Sequence, residues 1–293
     1  MKIPRINTEE KLITFPSFFW LLLFFLIPTL LVVFISFCTA DPYGNIGKGF
    51  SLSAYLEITN FSFLILVGRT VKLSIFTTVI CLSIGIPVAY AMARMEKRWQ
   101  QNFMLLVIIP FWTNFLIRIY AWKIILHPEG FLKQFLVFIK LVPESASLLY
   151  NEGAVLLVLV YTYLPFAILP LYSAAEKFDF QLLEAARDLG SSSIKSFIKI
   201  FLPGISVGIV SAIMVVFIPA LGTYIIPDMV GGPTSEMLGN KIAQRVFTDR
   251  HLPKGSALST ILILAFVIPP LIQLIIRKTK KPVKIAPRRI LEK

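Results

Sequence analysis

Six apolar segments, each about 20 residues long, divide this chain and constrain its fold more than any other feature. They are 15–37, 70–94, 103–126, 154–175, 204–227 and 257–276. A helix of about 20 apolar residues crosses the roughly 30 Å hydrocarbon core of a bilayer. Only 15% of the residues are charged, well below the quarter or so that is typical of soluble domains. We therefore predict an all-α integral membrane protein with six transmembrane helices.

The basic residues are distributed unevenly between the segments that join the predicted spans. Of 29 Lys and Arg, 18 lie in 1–14, 94–102, 176–203 and 277–293. Another 7 lie in 38–68, 127–153 and 228–256. By the positive-inside rule the richer side is cytoplasmic, so both termini are expected inside the cell. The segment 277–293 is interpreted as a basic cytoplasmic tail that anchors on lipid headgroups, and no nucleic acid partner is expected.

Several classes of function lack the residues they need. No phosphate loop of the Gly-x-x-x-x-Gly-Lys-Ser/Thr type occurs, so the chain is not expected to hydrolyse ATP or to be an enzyme. No cofactor or metal site is expected in it either. All 16 acidic residues and both histidines lie outside the six spans, which argues against a proton-coupled secondary transporter.

The polar segment 176–203 interrupts the apolar pattern before the fifth span. Asp179 can cap a helix in which Leu182, Ala186 and Leu189 form an apolar face. Gly190 suits a left-handed helix end, and a second short helix follows it. The residues predict a cytoplasmic helix–turn–helix that either docks a partner or rests on lipid headgroups.

The same segment resembles the EAA loop of binding-protein-dependent ABC importer permeases. It has Glu184-Ala185-Ala186, then Gly190, then Ile-Phe-Leu-Pro at 200–203, at the spacing of that motif. The resemblance implies a type I ABC importer permease fold. It also implies that Glu184, Ala185, Ala186 and Gly190 couple the chain to a separate ATPase.

A closer resemblance is to the permeases of spermidine/putrescine importers. It rests on the stretches 110–114, 116–120, 164–166, 170–173, 219–232 and 238–240. It implies a single transmembrane permease domain over 1–293, with its core at 66–276, in a bacterial inner membrane. The implied partners are a second permease subunit, a dimer of ATP-binding subunits that holds ATP and Mg²⁺, and a periplasmic polyamine-binding protein. The alternatives are a permease of the same class for another solute, and an ion-coupled secondary transporter.

A polyamine path through these spans would need compensation for two or three positive charges. Aromatic rings supply about 0.5–2 kcal/mol per cation–π contact. The candidates in the third to fifth spans are Trp112, Tyr120, Trp122, Tyr161, Tyr163 and Tyr224. Asp228, Glu152 or Glu129 is expected to draw cations to the mouth of the path. The alternative for each ring is ordinary packing at the lipid interface.

Arg118 is the one residue that conflicts with a cation path. In a continuous helix it would lie roughly 23 Å into a core of about 30 Å. A fixed positive charge there would repel a cationic cargo. We therefore expect Arg118 to have a structural role and not to bind the cargo. It would keep the third span in place by bonding to a carbonyl or carboxylate of a partner subunit.

Overall fold

The computed structural model describes residues 8–58 and 60–279 and is mostly helical, with one antiparallel two-stranded sheet. The elements in chain order are α1 (Thr8–Leu21), α2 (Ile27–Ile35), β1 (Cys38–Ala40), β2 (Ile46–Phe50), α3 (Ser53–Ile58), α4 (Phe61–Ala93), α5 (Lys97–Ile108), α6 (Phe115–Ile125), α7 (Phe131–Phe138), α8 (Glu152–Glu176), α9 (Gln181–Asp188), α10 (Ser193–Ser196), α11 (Leu202–Gly204), α12 (Ser206–Gly222), α13 (Ile225–Val230), α14 (Leu238–Ala243) and α15 (Leu252–Thr279). π-Helical turns lie at Leu22–Leu26, Phe197–Phe201 and Gln244–Thr248, and 3-10 turns at Ile109–Trp112 and Pro233–Ser235. Most of the predicted basic tail, from residue 280 onward, lies outside the described residues.

Three helices in the described part of the chain are long and apolar enough to cross a bilayer unaided. They are Thr14–Ile35, α4 and α8, with 22, 33 and 25 residues. Two bent pairs each qualify as one span when taken together: Lys97–Trp112 with α6, and Ser193–Gly204 with α12. The angles within these pairs are 88° and 71°. A shorter apolar helix, Leu252–Val267, begins α15, so the six-span count stays a prediction.

The centre of the bundle is formed by α4, α8 and α12, which pack against one another. Small residues line their contacts, including Gly85, Ala89, Ala167, Ala175 and Ala212, which are buried. Small side chains let transmembrane helices approach closely, which gains van der Waals contact where lipid supplies no hydrophobic driving force. A Cβ at Gly85 would lie 3.0 Å from Leu171 Cδ1, so this approach leaves little room for a larger residue.

Buried hydroxyl groups on α4 bond within their own helix. Thr70, Ser74, Thr77 and Thr78 each donate to the carbonyl four residues earlier, at 2.7–2.8 Å. The Thr70 hydroxyl also accepts a bond of 2.9 Å from the backbone N–H of Leu238. These bonds satisfy polar groups that would otherwise be costly in an apolar interior, and the last one joins α14 to α4.

Two large apolar clusters occupy opposite ends of the central helices. The first surrounds Leu171 and Phe201 and connects the three central helices to the polar segment before α12. The second surrounds Val155 and Leu159 near the start of α8 and includes side chains of α6 and α13. The first cluster therefore holds the candidate coupling segment, and the second lies beneath the candidate path residues Tyr224 and Asp228.

Candidate functional site

The backbone of residues 179–204, here called the insert, follows the predicted helix–turn–helix. The Asp179 carboxylate accepts a bond of 3.0 Å from the N–H of Gln181, the first residue of α9. At the other end Gly190 has φ +83°, and its N–H donates to the Arg187 carbonyl at 2.8 Å. The N–H of Ser191 donates to the Ala186 carbonyl at 2.9 Å, which completes a Schellman motif. The Ser192 hydroxyl then caps α10 by accepting from the Lys195 N–H.

The apolar face predicted for α9 does not pack on the bundle. Leu182 and Leu189 are 52% and 89% exposed, and the residue that α9 buries is Leu183. Ile194 and Ile198 in the next helical segment are 74% and 54% exposed. We call Leu182, Leu189, Ile194 and Ile198 the exposed apolar residues of the insert. Exposed apolar surface of this kind on a short polar segment is typical of a site that contacts another protein or lipid.

The four residues of the EAA motif lie beside these apolar side chains. Glu184, Ala185 and Gly190 are exposed, and Ala186 is partly buried. A Cβ built on Gly190 would meet no atom within 4 Å, so its need for glycine is conformational rather than steric. These positions are therefore open to contact from outside the chain.

An aromatic cluster joins the insert to α4. The ring of Phe201 is fully buried and lies 4.9 Å from that of Tyr90, 5.2 Å from Phe178 and 5.2 Å from Phe197, measured between centroids. Phe180 stacks on Phe201 at 6.1 Å. We call these five residues the aromatic anchor. Sequence reasoning missed it, although four phenylalanines flanking a polar segment were a visible signal.

A cation and a glycine complete the aromatic anchor. The Arg94 guanidinium lies 5.6 Å from the centroid of Tyr90 and donates to its hydroxyl at 2.9 Å. A Cβ at Gly204 would clash with the ring of Phe178, so the chain can enter α12 here only with a minimal side chain. The insert is therefore in direct contact with the end of α4 and with the start of α12.

Two of the predicted path residues, Tyr224 and Asp228, line one cavity of about 520 Å³. The carboxylate residue Glu236 and the aromatic residues Tyr150 and Phe247 line it as well. We call this the acidic–aromatic cavity. Asn240 shapes it, since its amide donates to the Tyr224 carbonyl at 2.9 Å and accepts from the Met237 N–H at 3.1 Å.

The other five candidate rings, those of Trp112, Tyr120, Trp122, Tyr161 and Tyr163, do not line this cavity. Trp112 is 79% exposed and Tyr120 is 50% exposed. Tyr161 packs edge-to-face on Trp122, with centroids 5.2 Å apart, and Tyr163 is partly buried between the two apolar clusters. The described structure thus brings together a smaller set than the one predicted.

Glu152 is not placed to attract a cargo, contrary to expectation. Its carboxylate already pairs with Lys72 at 2.5 Å and with Arg69 at 3.5 Å. Both cations come from α4, so this acid ties the start of α8 to its neighbour. Of the three acids predicted at the mouth, Asp228 alone lines the acidic–aromatic cavity, together with the unpredicted Glu236.

The depth predicted for Arg118 does not hold, because the third span is not a continuous helix. An 88° bend separates Lys97–Trp112 from α6, and the Asn114 side chain caps α6 by accepting from Leu116 N at 2.8 Å. The Arg118 guanidinium carbon lies 4.5 Å from the centroid of Phe111. Its Nε and Nη1 atoms are buried and have no hydrogen-bond partner within the described residues.

The chain shares a family and a fold with known proteins. Residues 85–280 match the family described as binding-protein-dependent transport system inner membrane component. The chain is 38% identical over 253 residues to the spermidine/putrescine transport system permease protein PotB of Haemophilus influenzae, covering 86% of this chain and 88% of that protein. The corresponding Escherichia coli protein is 35% identical over 240 residues, which is 82% of this chain and 87% of that protein.

A solved structure has the same fold. It is the bacterial alginate ABC transporter in complex with an alginate pentasaccharide-bound periplasmic protein. The TM-score is 0.65, and the match covers 92% of this chain and 95% of that one at 17% identity. At this identity the similarity establishes the architecture and not the cargo.

Proposed function

The chain belongs to the family of binding-protein-dependent transport system inner membrane components, and on that premise we propose that it is the permease subunit of an ATP-driven polyamine importer. It is a multi-pass inner membrane permease of the ABC importer class. Beyond family membership, we propose that the cargo is a polyamine and that the insert binds a separate ATPase subunit. We also propose that a second permease subunit and a periplasmic binding protein are partners, and that both termini lie in the cytoplasm.

The coupling proposal rests on one observation: one side of the insert is exposed and apolar, and the other side is buried against the bundle. Its exposed apolar residues face away from the bundle, and Phe201 on its other side is fully buried against α4. A separate ATPase subunit that covers Leu182, Ala185 and Leu189 can therefore move the insert as a lever. The aromatic anchor passes that movement to α4 and, through the 71° bend after Gly204, to α12.

The acidic–aromatic cavity supports a polyamine as cargo. Asp228 and Glu236 offer carboxylates to ammonium groups, and charge-assisted hydrogen bonds contribute roughly 1.5–3 kcal/mol each. Tyr150, Tyr224 and Phe247 offer ring faces, at about 0.5–2 kcal/mol per cation–π contact. Such a site holds a flexible polycation briefly and releases it, which suits a path rather than a storage site. High affinity then belongs to a periplasmic binding protein.

In this proposal transport follows alternating access. Binding of ATP and Mg²⁺ between two partner ATPase subunits closes them and shifts the insert. The central helices of this chain and of a second permease subunit then open outward, and cargo enters from the binding protein. Hydrolysis returns the insert to its first position and opens the path inward.

The proposal is tested by uptake of labelled spermidine into cells that express the complete predicted system. We compare wild type with Glu184→Lys, use Glu144→Lys as a charge-matched control outside the insert, and add unlabelled putrescine as competitor. Spermidine uptake by wild type and by the control supports a polyamine as cargo. A Glu184→Lys variant that inserts in the membrane but does not transport spermidine supports the role of the insert in coupling.

Two rivals give different results in the same assay. A permease of this class for another solute would show ATPase activity without spermidine uptake. A solved transporter of the same fold is involved in the import of the acidic polysaccharide alginate, so the fold also serves an acidic cargo. An ion-coupled secondary transporter would lose uptake on addition of a protonophore and would need no ATPase subunit.

A further inference from the structure

Tyr150, which lies just before α8, has a backbone conformation that aromatic residues seldom adopt. Its φ is +62°, in the left-handed region. Among the described residues, the others with a positive φ that are not glycine are Lys140 and Arg250. In this region Cβ crowds the following carbonyl oxygen, so the conformation persists only where the surrounding structure imposes it.

Hydrogen bonds on both sides hold the backbone around Tyr150. Its N–H donates to the carbonyl of Val230 at 2.9 Å. The Asn151 amide donates to the Ser147 carbonyl at 2.8 Å, and its oxygen accepts from the N–H of Ala154 at 2.9 Å. The conformation of Tyr150 is thus fixed between the cap of α8 and the end of α13.

The turn that follows α13 approaches the same residue closely. A Cβ built on Gly232 would lie 2.4 Å from the carbonyl oxygen of Tyr150, so this approach requires glycine. The buried Ser235 hydroxyl accepts a bond of 2.6 Å from the Gly232 N–H and holds the turn. The segment 230–235 therefore restrains Tyr150 through several contacts at once.

Burial of the ring does not explain why Tyr150 is held in this way. The residue is 51% exposed and belongs to none of the apolar clusters of the described chain. Leu149, one position earlier, is 1% exposed and packs in the cluster of Val155 and Leu159. The chain thus buries Leu149 and leaves Tyr150 open.

Tyr150 instead lines the acidic–aromatic cavity, and it comes from a different part of the chain than the rest of the wall. Every other described residue that lines this cavity lies within 224–248. Tyr150 is therefore what the segment leading into α8 contributes to the cavity. Strained backbone is concentrated at ligand sites, where it keeps a side chain in the geometry that the ligand requires.

The charged groups of the cavity leave one part of a polyamine for a ring to bind. Asp228 and Glu236 are the carboxylate residues among the described lining residues, and each can pair with one ammonium group. Putrescine has two such groups, and spermidine has one more. When both carboxylates are in use, the additional ammonium group of spermidine can be stabilised by the face of an aromatic ring.

We propose that Tyr150 is a specificity-determining residue, whose ring binds the ammonium group that distinguishes spermidine from putrescine. Tyr224 and Phe247 line the cavity from the same segment as both carboxylates, whereas Tyr150 is held from the start of α8. This inference rests on the proposed function, because it concerns a polyamine in the same cavity.

The test measures uptake of labelled spermidine and of labelled putrescine, separately, in cells that express the complete predicted system. Uptake is expressed per amount of chain in the membrane. Tyr150→Asn removes the ring and suits the left-handed region, and Tyr150→Phe keeps a ring face. Lys140→Asn is the matched control, because Lys140 has φ +57° and does not line the cavity. Thermal unfolding of each purified full-length chain measures stability.

Tyr150→Asn should lower spermidine uptake about fivefold to tenfold and putrescine uptake by less than about twofold, since one cation–π contact is lost. Tyr150→Phe and the control should transport both amines as wild type does. The melting temperature of Tyr150→Asn should stay within about 3 °C of wild type, because relief of the left-handed strain offsets the loss of a half-exposed ring.

An equal fall in the uptake of both amines, or unchanged spermidine uptake by Tyr150→Asn, overturns this inference while the polyamine cargo stands. So does a loss of spermidine uptake in Tyr150→Phe, since the hydroxyl and not the ring face would then bind. A larger fall in the melting temperature of Tyr150→Asn overturns it as well, because the ring would then serve packing. A wild type that transports neither amine overturns the proposed cargo and this inference with it.

Discussion

The ring of Phe201 lies 4.9 Å from the ring of Tyr90, at an interplanar angle of 82°. Phe201 belongs to the insert and Tyr90 to α4, so this edge-to-face contact is where a segment open to a partner meets the core of the bundle. The contact places the C-terminal part of the insert in the same apolar cluster as the end of α4.

Phe201→Ala should therefore uncouple the insert as well as destabilise the protein. Removal of a fully buried phenylalanine costs about 3–5 kcal/mol, because the cavity that it leaves is only partly filled. Thermal unfolding of the purified chain measures this loss, and Phe131→Ala, at an 81% exposed position, is the control. An unchanged melting temperature for Phe201→Ala would show that the aromatic anchor does not hold the insert.

Gly190→Ala should weaken the turn between the two helices of the insert. A residue with a Cβ pays about 1–2 kcal/mol in the left-handed conformation that Gly190 adopts at φ +83°. Gly190→Asn should cost less, because asparagine tolerates that region. Gly68→Ala is the matched control, since a Cβ at either glycine would meet no atom within 4 Å and Gly68 is helical.

Limited proteolysis of the insert measures the local effect of these glycine variants. Faster cleavage is expected for Gly190→Ala and unchanged or slower cleavage for Gly68→Ala. Equal cleavage rates would mean that the Schellman motif contributes nothing to the order of the insert.

Leu189→Asp should abolish binding of the ATPase subunit without unfolding the chain. Leu189 is 89% exposed, so the free energy of unfolding should change by no more than about 0.5 kcal/mol. An interface anchor contributes about 2 kcal/mol or more, so co-purification of the ATPase should fall at least tenfold. Leu141→Asp, at a 70% exposed position outside the insert, should leave co-purification intact. Normal recovery of the ATPase with Leu189→Asp would remove this residue from the interface.

Asp228→Asn and Glu236→Gln should each slow polyamine uptake. Loss of one charged hydrogen bond, at roughly 1.5–3 kcal/mol, predicts a fall of about tenfold or more in the uptake rate at saturating binding protein. ATPase activity should stay unchanged, and Glu144→Gln, a carboxylate outside the acidic–aromatic cavity, is the control. Wild-type rates in both variants would place the path elsewhere.

Arg118→Gln should reduce assembly of the transporter more than polyamine affinity. The buried Nε and Nη1 atoms lack hydrogen-bond partners within the described chain, so a partner subunit is expected to supply an acceptor. The measurement is the yield of intact complex compared with uptake per complex. Lys123→Gln on the same helix is the control. A normal yield with altered affinity would instead assign Arg118 to the path.

Local features of the fold were predictable because they depend on residues close together in the chain. The lengths of the apolar segments predicted the long helices, and Gly190 and Asp179 predicted the ends of α9. Which face of α9 is buried could not be predicted in this way. Leu182, Ala186 and Leu189 form the more regular apolar pattern, yet Leu183 is the buried residue. The reason is that Leu183 packs in the apolar cluster of Leu171 and Phe201, whose members are distant in the chain.

Composition and spacing within about 20 residues were enough to predict the membrane class, the helical segments and the motif of the insert. The tertiary structure decided which distant residues meet. It brought Tyr90 to Phe201, Asp228 to the cavity that Glu236 also lines, and Tyr150 to that same cavity. It also placed the bends at Ile205 and between Trp112 and Phe115. The physical reason is that side-chain chemistry specifies what a residue can contact, whereas helix packing sets what lies within reach.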